Sequence, residues 1–150
     1  MRADAHLIFR RYLDAVGLNG LALAEAAGLN TTDWHALSVL EQAGPLTSGA
    51  LAERTGLTTG ATTRLIDRLE RAGHVRRVPD PADRRKVMVE HVANLDLDLD
   101  AIVGPSRRWL GALLAEYSPE QLDLLFDFFE KAAPALHAAT AEIRRGARDR

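Results

Sequence analysis

Residues 46–91 read LTSGALAERTGLTTGATTRLIDRLERAGHVRRVPDPADRRKVMVEH, and this stretch decides the fold. Thr47 stands ahead of a short helix-forming run, where its hydroxyl can accept from the free N–H of Gly49 or Ala50, and the run ends near Arg54 before Gly56. Thr55-Gly56-Leu57 reads as a turn. Thr58 or Thr59 recaps the chain, and Ala61, Leu65, Leu69 and Ala72 then recur at spacings of three and four, forming one stripe of a second helix closed by Gly73. Leu65 and Leu69 are expected to face inward.

With that stripe inside, Thr59, Gly60, Thr63, Arg64, Asp67 and Arg71 fall on the opposite face, with Arg68 at its edge. Small residues in front allow close approach to a major groove, and arginines behind can donate bidentate pairs to guanine. Alone, such a face is better described as a solvated helix surface with ordinary arginines. The next segment tips the balance. Residues 75–78 and 87–91 have the length and valine content of two hairpin strands, while Pro79, Asp80, Pro81 and Asp83 supply turn chemistry between them. Arg84, Arg85 and Lys86 project from the hairpin tip, where three adjacent cations can reach phosphates or a narrow minor groove. The outline is a winged helix-turn-helix.

Several runs carry a resemblance beyond this outline: Leu51-Ala52-Glu53-Arg54-Thr55-Gly56-Leu57, Thr63-Arg64-Leu65-Ile66-Asp67-Arg68-Leu69-Glu70, Gly73-His74-Val75 and Asp80-Pro81-Ala82-Asp83-Arg84-Arg85. Together they resemble the MarR family of bacterial transcription regulators, whose most distinctive signature is the Asp-x-Arg of the wing, here Asp83 and Arg85. The resemblance covers nearly the whole chain. By position it implies that Arg64 is the recognition-helix arginine, that Arg84 and Arg85 are wing-tip minor-groove residues, and that Asp67 braces a wing arginine. One departure is His91-Val92, where the family usually has Leu-Thr, so the hydroxyl that normally caps the next helix is missing.

The expected DNA-contacting set is Thr47, Ser48, Thr58, Thr59, Gly60, Thr63, Arg64, Asp67, Arg68, Arg76, Arg84, Arg85 and Lys86. The formal net charge of -2, taken by itself, argues against a nucleic-acid partner. Its distribution argues for one. Between positions 50 and 91 there are nine bases against six acids, whereas positions 92–131 hold eight acids against three bases.

At 150 residues with 47% hydrophobic content, the chain fits one domain or a small core with an oligomerisation extension. No apolar run approaches the ~20 residues of a membrane span. The segment MRADAHLIFRRYLD lacks a signal-peptide core and cleavage site, so a cytoplasmic location is expected. The absence of cysteine excludes thiol redox sensing, cysteine-ligated zinc and disulfides, and with them the oxidant-sensing branch of the resembled family.

The flanks read as helices. From about Asp4 to Ala27, Leu7, Ile8, Tyr12, Leu13, Val16, Leu23, Ala24 and Ala27 form a broad apolar face, weakened at Gly17 and Asn19-Gly20, so this is one helix with a soft point or two meeting near Asn19. Asn30 is an N-cap with Asp33 at the third helical position, Trp34, Leu37 and Leu40 follow on one side, and Gly44-Pro45 ends that helix. After the wing, Leu95, Leu99, Ile102 and Val103 continue at helical spacing to Trp109, Leu110, Leu113, Leu114 and Tyr117, with a kink or break expected at Pro105. The Leu-Asp alternation at 95–100 also fits a strand, but aspartate is poor in sheets. Ser118-Pro119-Glu120-Gln121 is a capping box opening a helix that is interrupted by Pro134 and frays in its last residues, RRGARDR.

These readings give a mainly α chain with a small β-hairpin wing: a winged helix-turn-helix core at 31–92, flanked by dimerisation helices at 1–30 and 93–150. Pairing two modules one DNA turn apart multiplies affinity, which is why the long apolar termini are assigned to a two-fold dimer rather than to one larger helical domain. The expected partners are double-stranded DNA, a second copy of the chain, and a small aromatic or amphipathic effector, with no membrane and no cofactor. The resemblance implies an effector crevice beside the dimer helices, bordered by Phe9, Tyr12, Trp34, His35 and Trp109, with Arg10 or Arg11 facing a carboxylate. Ordinary core packing is the simpler reading of those aromatics. No nucleophile or phosphate-loop motif supports an enzyme, and His6, His35, His74, His91 and His137 lack metal-ligand spacing. The expected function is a sequence-specific regulator, a repressor released by ligand. The alternative is a winged-helix module that binds a protein and does not read bases.

Overall fold

The computed structural model describes residues 4–93 and 98–148. Among them, six helices and a small sheet follow in order: α1 (Ala5–Ala26), α2 (Thr31–Ala43), β1 (Leu46–Thr47), α3 (Ser48–Thr55), α4 (Thr59–Arg71), β2 (Val75–Pro79), β3 (Val87–His91), α5 (Leu99–Leu114) and α6 (Pro119–Arg148). The architecture is the expected one, mainly helical with a β-hairpin wing. The sheet gains one strand: β1 pairs antiparallel with β3, giving the order β1-β3-β2. Leu46 faces Val89 and Thr47 faces Met88 in that pairing. A two-residue strand carries no alternation to read, which is why the sequence shows only two strands.

The helix ends follow their capping chemistry. Asn30 accepts from the Asp33 N–H at 2.8 Å, Thr47 from Ala50 at 3.2 Å, and Thr58, rather than Thr59, from Ala61 at 3.3 Å. Gly56 (φ 66) and Gly73 (φ 78) close α3 and α4 in the left-handed region that an L side chain adopts only with strain.

Along α4 the buried stripe is Thr62, Leu65, Ile66 and Leu69. Ala61 is only half-buried and Ala72 is exposed, which corrects the stripe expected from apolar spacing. Thr62 tolerates burial because its hydroxyl donates to the Thr58 carbonyl at 3.0 Å, so no polar atom is stranded. The core joins Ala36, Leu37 and Leu40 of α2 to Leu51 of α3, the three apolar α4 residues, and Leu46, Val75 and Val89 of the sheet.

The chain divides into two compact units, Met1–Gly104 and Pro105–Arg150. In the first, α1 is one continuous helix through Gly17 and Asn19-Gly20, and Ala24 is its buried residue. Leu7, Ile8, Phe9, Tyr12, Leu13 and Val16 are exposed. In the second, Trp109, Leu110, Leu113, Leu124, Phe126 and Phe128 are exposed as well.

Both internal prolines sit within helices. Pro105 does not end α5 and Pro134 does not end α6, which continues to Arg148 instead of fraying after Ile143. Asp98 caps α5 by accepting from Ala101 at 2.9 Å, in place of the hydroxyl that this chain lacks after the wing. The expected helical placement of Leu95, together with the rest of 94–97, lies outside the described residues, as do Asp149 and Arg150. The capping box at Ser118 forms in both directions: Ser118 N–H donates to Gln121 at 2.8 Å and Gln121 N–H donates back to the hydroxyl at 3.4 Å.

Candidate nucleic-acid interface

The first turns of α4 present Thr59, Gly60, Thr63 and Arg64 to solvent, with Thr58 exposed at the cap. The Thr63 hydroxyl is turned back onto the Thr59 carbonyl at 3.0 Å. Arg64 lies over the first turn: a Cβ at Gly60 would stand 3.7 Å from its Nη1. No carboxylate pairs with Arg64 among the described residues. Its five donors are available to an incoming acceptor.

Three other arginines, Arg68, Arg76 and Arg77, form ion pairs within the module. Arg68 forks onto Asp33 of α2, with Nη2 donating to Oδ1 at 2.6 Å and Nε to Oδ2 at 3.1 Å. Hydrogen bonding to that carboxylate is the largest influence on the Arg68 guanidinium and raises its pKa further. Arg77 of β2 donates to Asp67 at 2.6 Å and also pairs with Glu70. Its hydrogen bond with Asp67 is the main reason its pKa is raised. Arg76, on the other face of the same strand, pairs with Glu90, its register partner across the hairpin.

The wing tip is built by its aspartates. Asp80 accepts from the Ala82 N–H at 2.8 Å, and its own N–H donates to the Lys86 carbonyl at 3.0 Å, closing the loop. Asp83 accepts from the Arg85 N–H at 3.2 Å and from the Arg85 side chain at 3.1 Å. This is the geometry of the Asp-x-Arg signature: the acid shapes the turn and the arginine stays 92% exposed. Arg84 and Lys86 are exposed beside it.

The expected contact set therefore separates. Thr58, Thr59, Gly60, Thr63, Arg64, Arg84, Arg85 and Lys86 lie exposed on the start of α4 and the wing tip, whereas Asp67, Arg68 and Arg76 are held in ion pairs inside the module. Thr47 and Ser48 are half-buried at the start of α3, and the Thr47 hydroxyl is engaged as a cap. Sequence reasoning missed Arg77, Glu70 and the Asp33–Arg68 pair. The Arg76–Glu90 pair follows directly once the hairpin register is known; the other pairs join separate elements and leave no spacing signal.

Of the residues expected at an effector crevice, Phe9, Arg10 and Tyr12 are exposed on α1, Trp34 is half-buried and His35 exposed on α2, and Trp109 is exposed on α5. His74 is buried at the α4–β2 turn. Burial is the main cause of a lowered imidazole pKa, with His91 adding repulsion and Asp33 opposing both. Among the described residues no helix is long and apolar enough to cross a membrane.

A MarR family profile matches residues 27–86. The chain is 36% identical over 138 residues to an uncharacterized HTH-type transcriptional regulator, YcgE, of Bacillus subtilis, spanning 92% of this chain and 90% of that protein. It is 34% identical over 124 residues to the transcriptional activatory protein BadR of Rhodopseudomonas palustris, spanning 79% of this chain and 71% of BadR. Among solved structures, a mutant MepR from a multidrug resistant S. aureus clinical isolate superposes with a TM-score of 0.72 at 19% identity, covering 91% of this chain and 99% of that one.

Proposed function

The chain belongs to the MarR family of DNA-binding transcription regulators, and on that premise we propose that it reads a pseudo-palindromic operator as a homodimer. The two α4 helices enter successive major grooves at half-sites about 10 base pairs apart, while the wing tips meet the adjacent minor grooves or phosphates. The observation that carries this reading is the sorting of arginines. Among the described residues, no acid pairs with the exposed Arg64, Arg84 and Lys86, while Arg68, Arg76 and Arg77 are neutralised by internal acids. Direct base readout falls to Arg64 with Thr59, Gly60 and Thr63. Backbone and minor-groove contacts fall to Arg84, Arg85 and Lys86.

Residues 31–92 form the DNA-binding module in this proposal, and 1–30 with 93–150 form the dimer interface. Supporting it are the large apolar side chains exposed along α1, α5 and α6, Phe9, Val16, Trp109, Leu124 and Phe126 among them. We assign the regulator the sign of a repressor, since a dimer seated on promoter DNA obstructs polymerase. A small aromatic or amphipathic effector releases it by altering the separation of the two α4 helices. By linkage, operator DNA weakens the effector by the same factor.

Selection of bound sites from random duplexes, followed by gel shift against a scrambled duplex over a salt series, tests the reading. An enriched two-fold sequence bound more tightly than its scramble is the expected result. Equal affinity for both duplexes returns the chain to the protein-binding alternative, and activation of transcription from the selected site in vitro overturns the repressor sign.

A further inference from the structure

Asp33 is 4% exposed, yet its carboxylate is fully engaged. Oδ1 accepts from Arg68 Nη2 at 2.6 Å, and Oδ2 accepts from Arg68 Nε at 3.1 Å and from Asn30 Nδ2 at 2.9 Å. Asn30 in turn caps α2 through the Asp33 N–H. One chain of hydrogen bonds thus runs from the start of α2 to the α4 helix that carries Arg64. A bidentate fork fixes angle as well as distance, which a lone lysine contact does not.

We propose that Arg68 is a positioning residue for base readout rather than a DNA contact, and that Asp33, though buried, determines specificity through it. The inference rests on the reading of α4 as the recognition helix. A helix with side chains is ~10–12 Å across, so a roll of ~10° moves an atom at its rim by about 1 Å. Hydrogen bonds to base edges tolerate a few tenths of an ångström, while the attraction of a cation for phosphate barely changes over that distance. Loss of the fork therefore degrades discrimination between sequences before it degrades general attraction to DNA.

The two roles of Arg68 separate experimentally. The probes are a duplex selected by the wild-type protein and its scramble, titrated at several salt concentrations with Arg68→Ala, Asp33→Asn and the double variant. The expected result is that each single variant lowers the specific-to-scrambled affinity ratio about tenfold, the size of one mismatched base pair. The salt slope stays at the wild-type value, and the double variant is no worse than either single one. Arg68→Lys restores only part of the ratio.

Equal loss on both duplexes in Arg68→Ala, with a slope reduced by about one, makes Arg68 a phosphate contact and overturns the proposal. Unchanged or improved discrimination in Asp33→Asn overturns it too, since that variant releases Arg68. If Asp33→Asn does not fold, Asp33→Asn with Arg68→Gln, which leaves no buried charge, replaces it under the same criteria. A wild-type protein that selects no sequence defeats the operator reading itself, an outcome distinct from any variant result.

Discussion

Arg77 reaches from the first wing strand to Asp67 on α4 at 2.6 Å and holds Glu70, one helical turn away, with the same guanidinium. The base of the wing is thereby tied to the helix that precedes it. Because these groups are one-third to nearly one-half exposed, the pairs contribute modestly, about 0.2–1 kcal/mol, to global stability. Arg77→Ala is expected to lower Tm by no more than a few degrees while raising amide hydrogen exchange in β2. A fall in Tm with no change in β2 exchange refutes the brace.

Arg64→Ala should relax base preference at one position of each half-site and cost about 1–3 kcal/mol on the selected duplex. Arg84→Ala should weaken all duplexes evenly and reduce the salt slope by about one. Competition gel shifts with single-base variants distinguish the two patterns. If Arg64→Ala keeps the wild-type preference, Arg64 is not the reading residue.

The buried His74 makes stability depend on pH in a definite direction. Its folded-state pKa lies below the ordinary 6.5, so the unfolded chain takes up a proton first as pH falls. Stability is complete above about 6.5 and declines below it, until the folded pKa is reached. Urea midpoints at about pH 7.5 and about pH 5.5 should differ less in His74→Gln than in the wild type. An unchanged difference means that His74 does not set the slope.

If the exposed apolar side chains of the terminal helices form the interface, Phe126→Glu should give a folded monomer, because that ring is 53% exposed in the single chain. Operator affinity should fall by about a hundredfold or more as the second half-site is lost. Sedimentation equilibrium reads the mass and circular dichroism the fold. A variant that stays dimeric removes Phe126 from the interface.

Most of the fold was legible because its signals are local. Thr47, Gly56 and Gly73 in the winged helix, and Asn30 and Ser118 at the starts of α2 and α6, act within a few residues of themselves, and the Pro/Asp loop announces the wing. The pairs that hold the module together were not legible. Asp33 and Arg68 are 35 residues apart, so only the tertiary packing of the module brings them together. The sequence shows Arg68 as a cation at the edge of the exposed face but not its fork onto Asp33. The α4 stripe misled for a related reason: hydrophobic spacing favoured Ala61 and Ala72, while burial fell on Thr62, whose hydroxyl is satisfied by its own helix.

Thr47 is shared by two structures at once: its backbone is a rung opposite Met88 in the sheet, and its side chain closes the open end of α3. The hairpin therefore cannot swing as a whole without uncapping the helix in front of it. Only the arc inside the Asp80–Lys86 closure makes no sheet rung, so on the proposed reading of the wing tip the protein should follow variations in minor-groove width by flexing a fingertip while the knuckle stays locked.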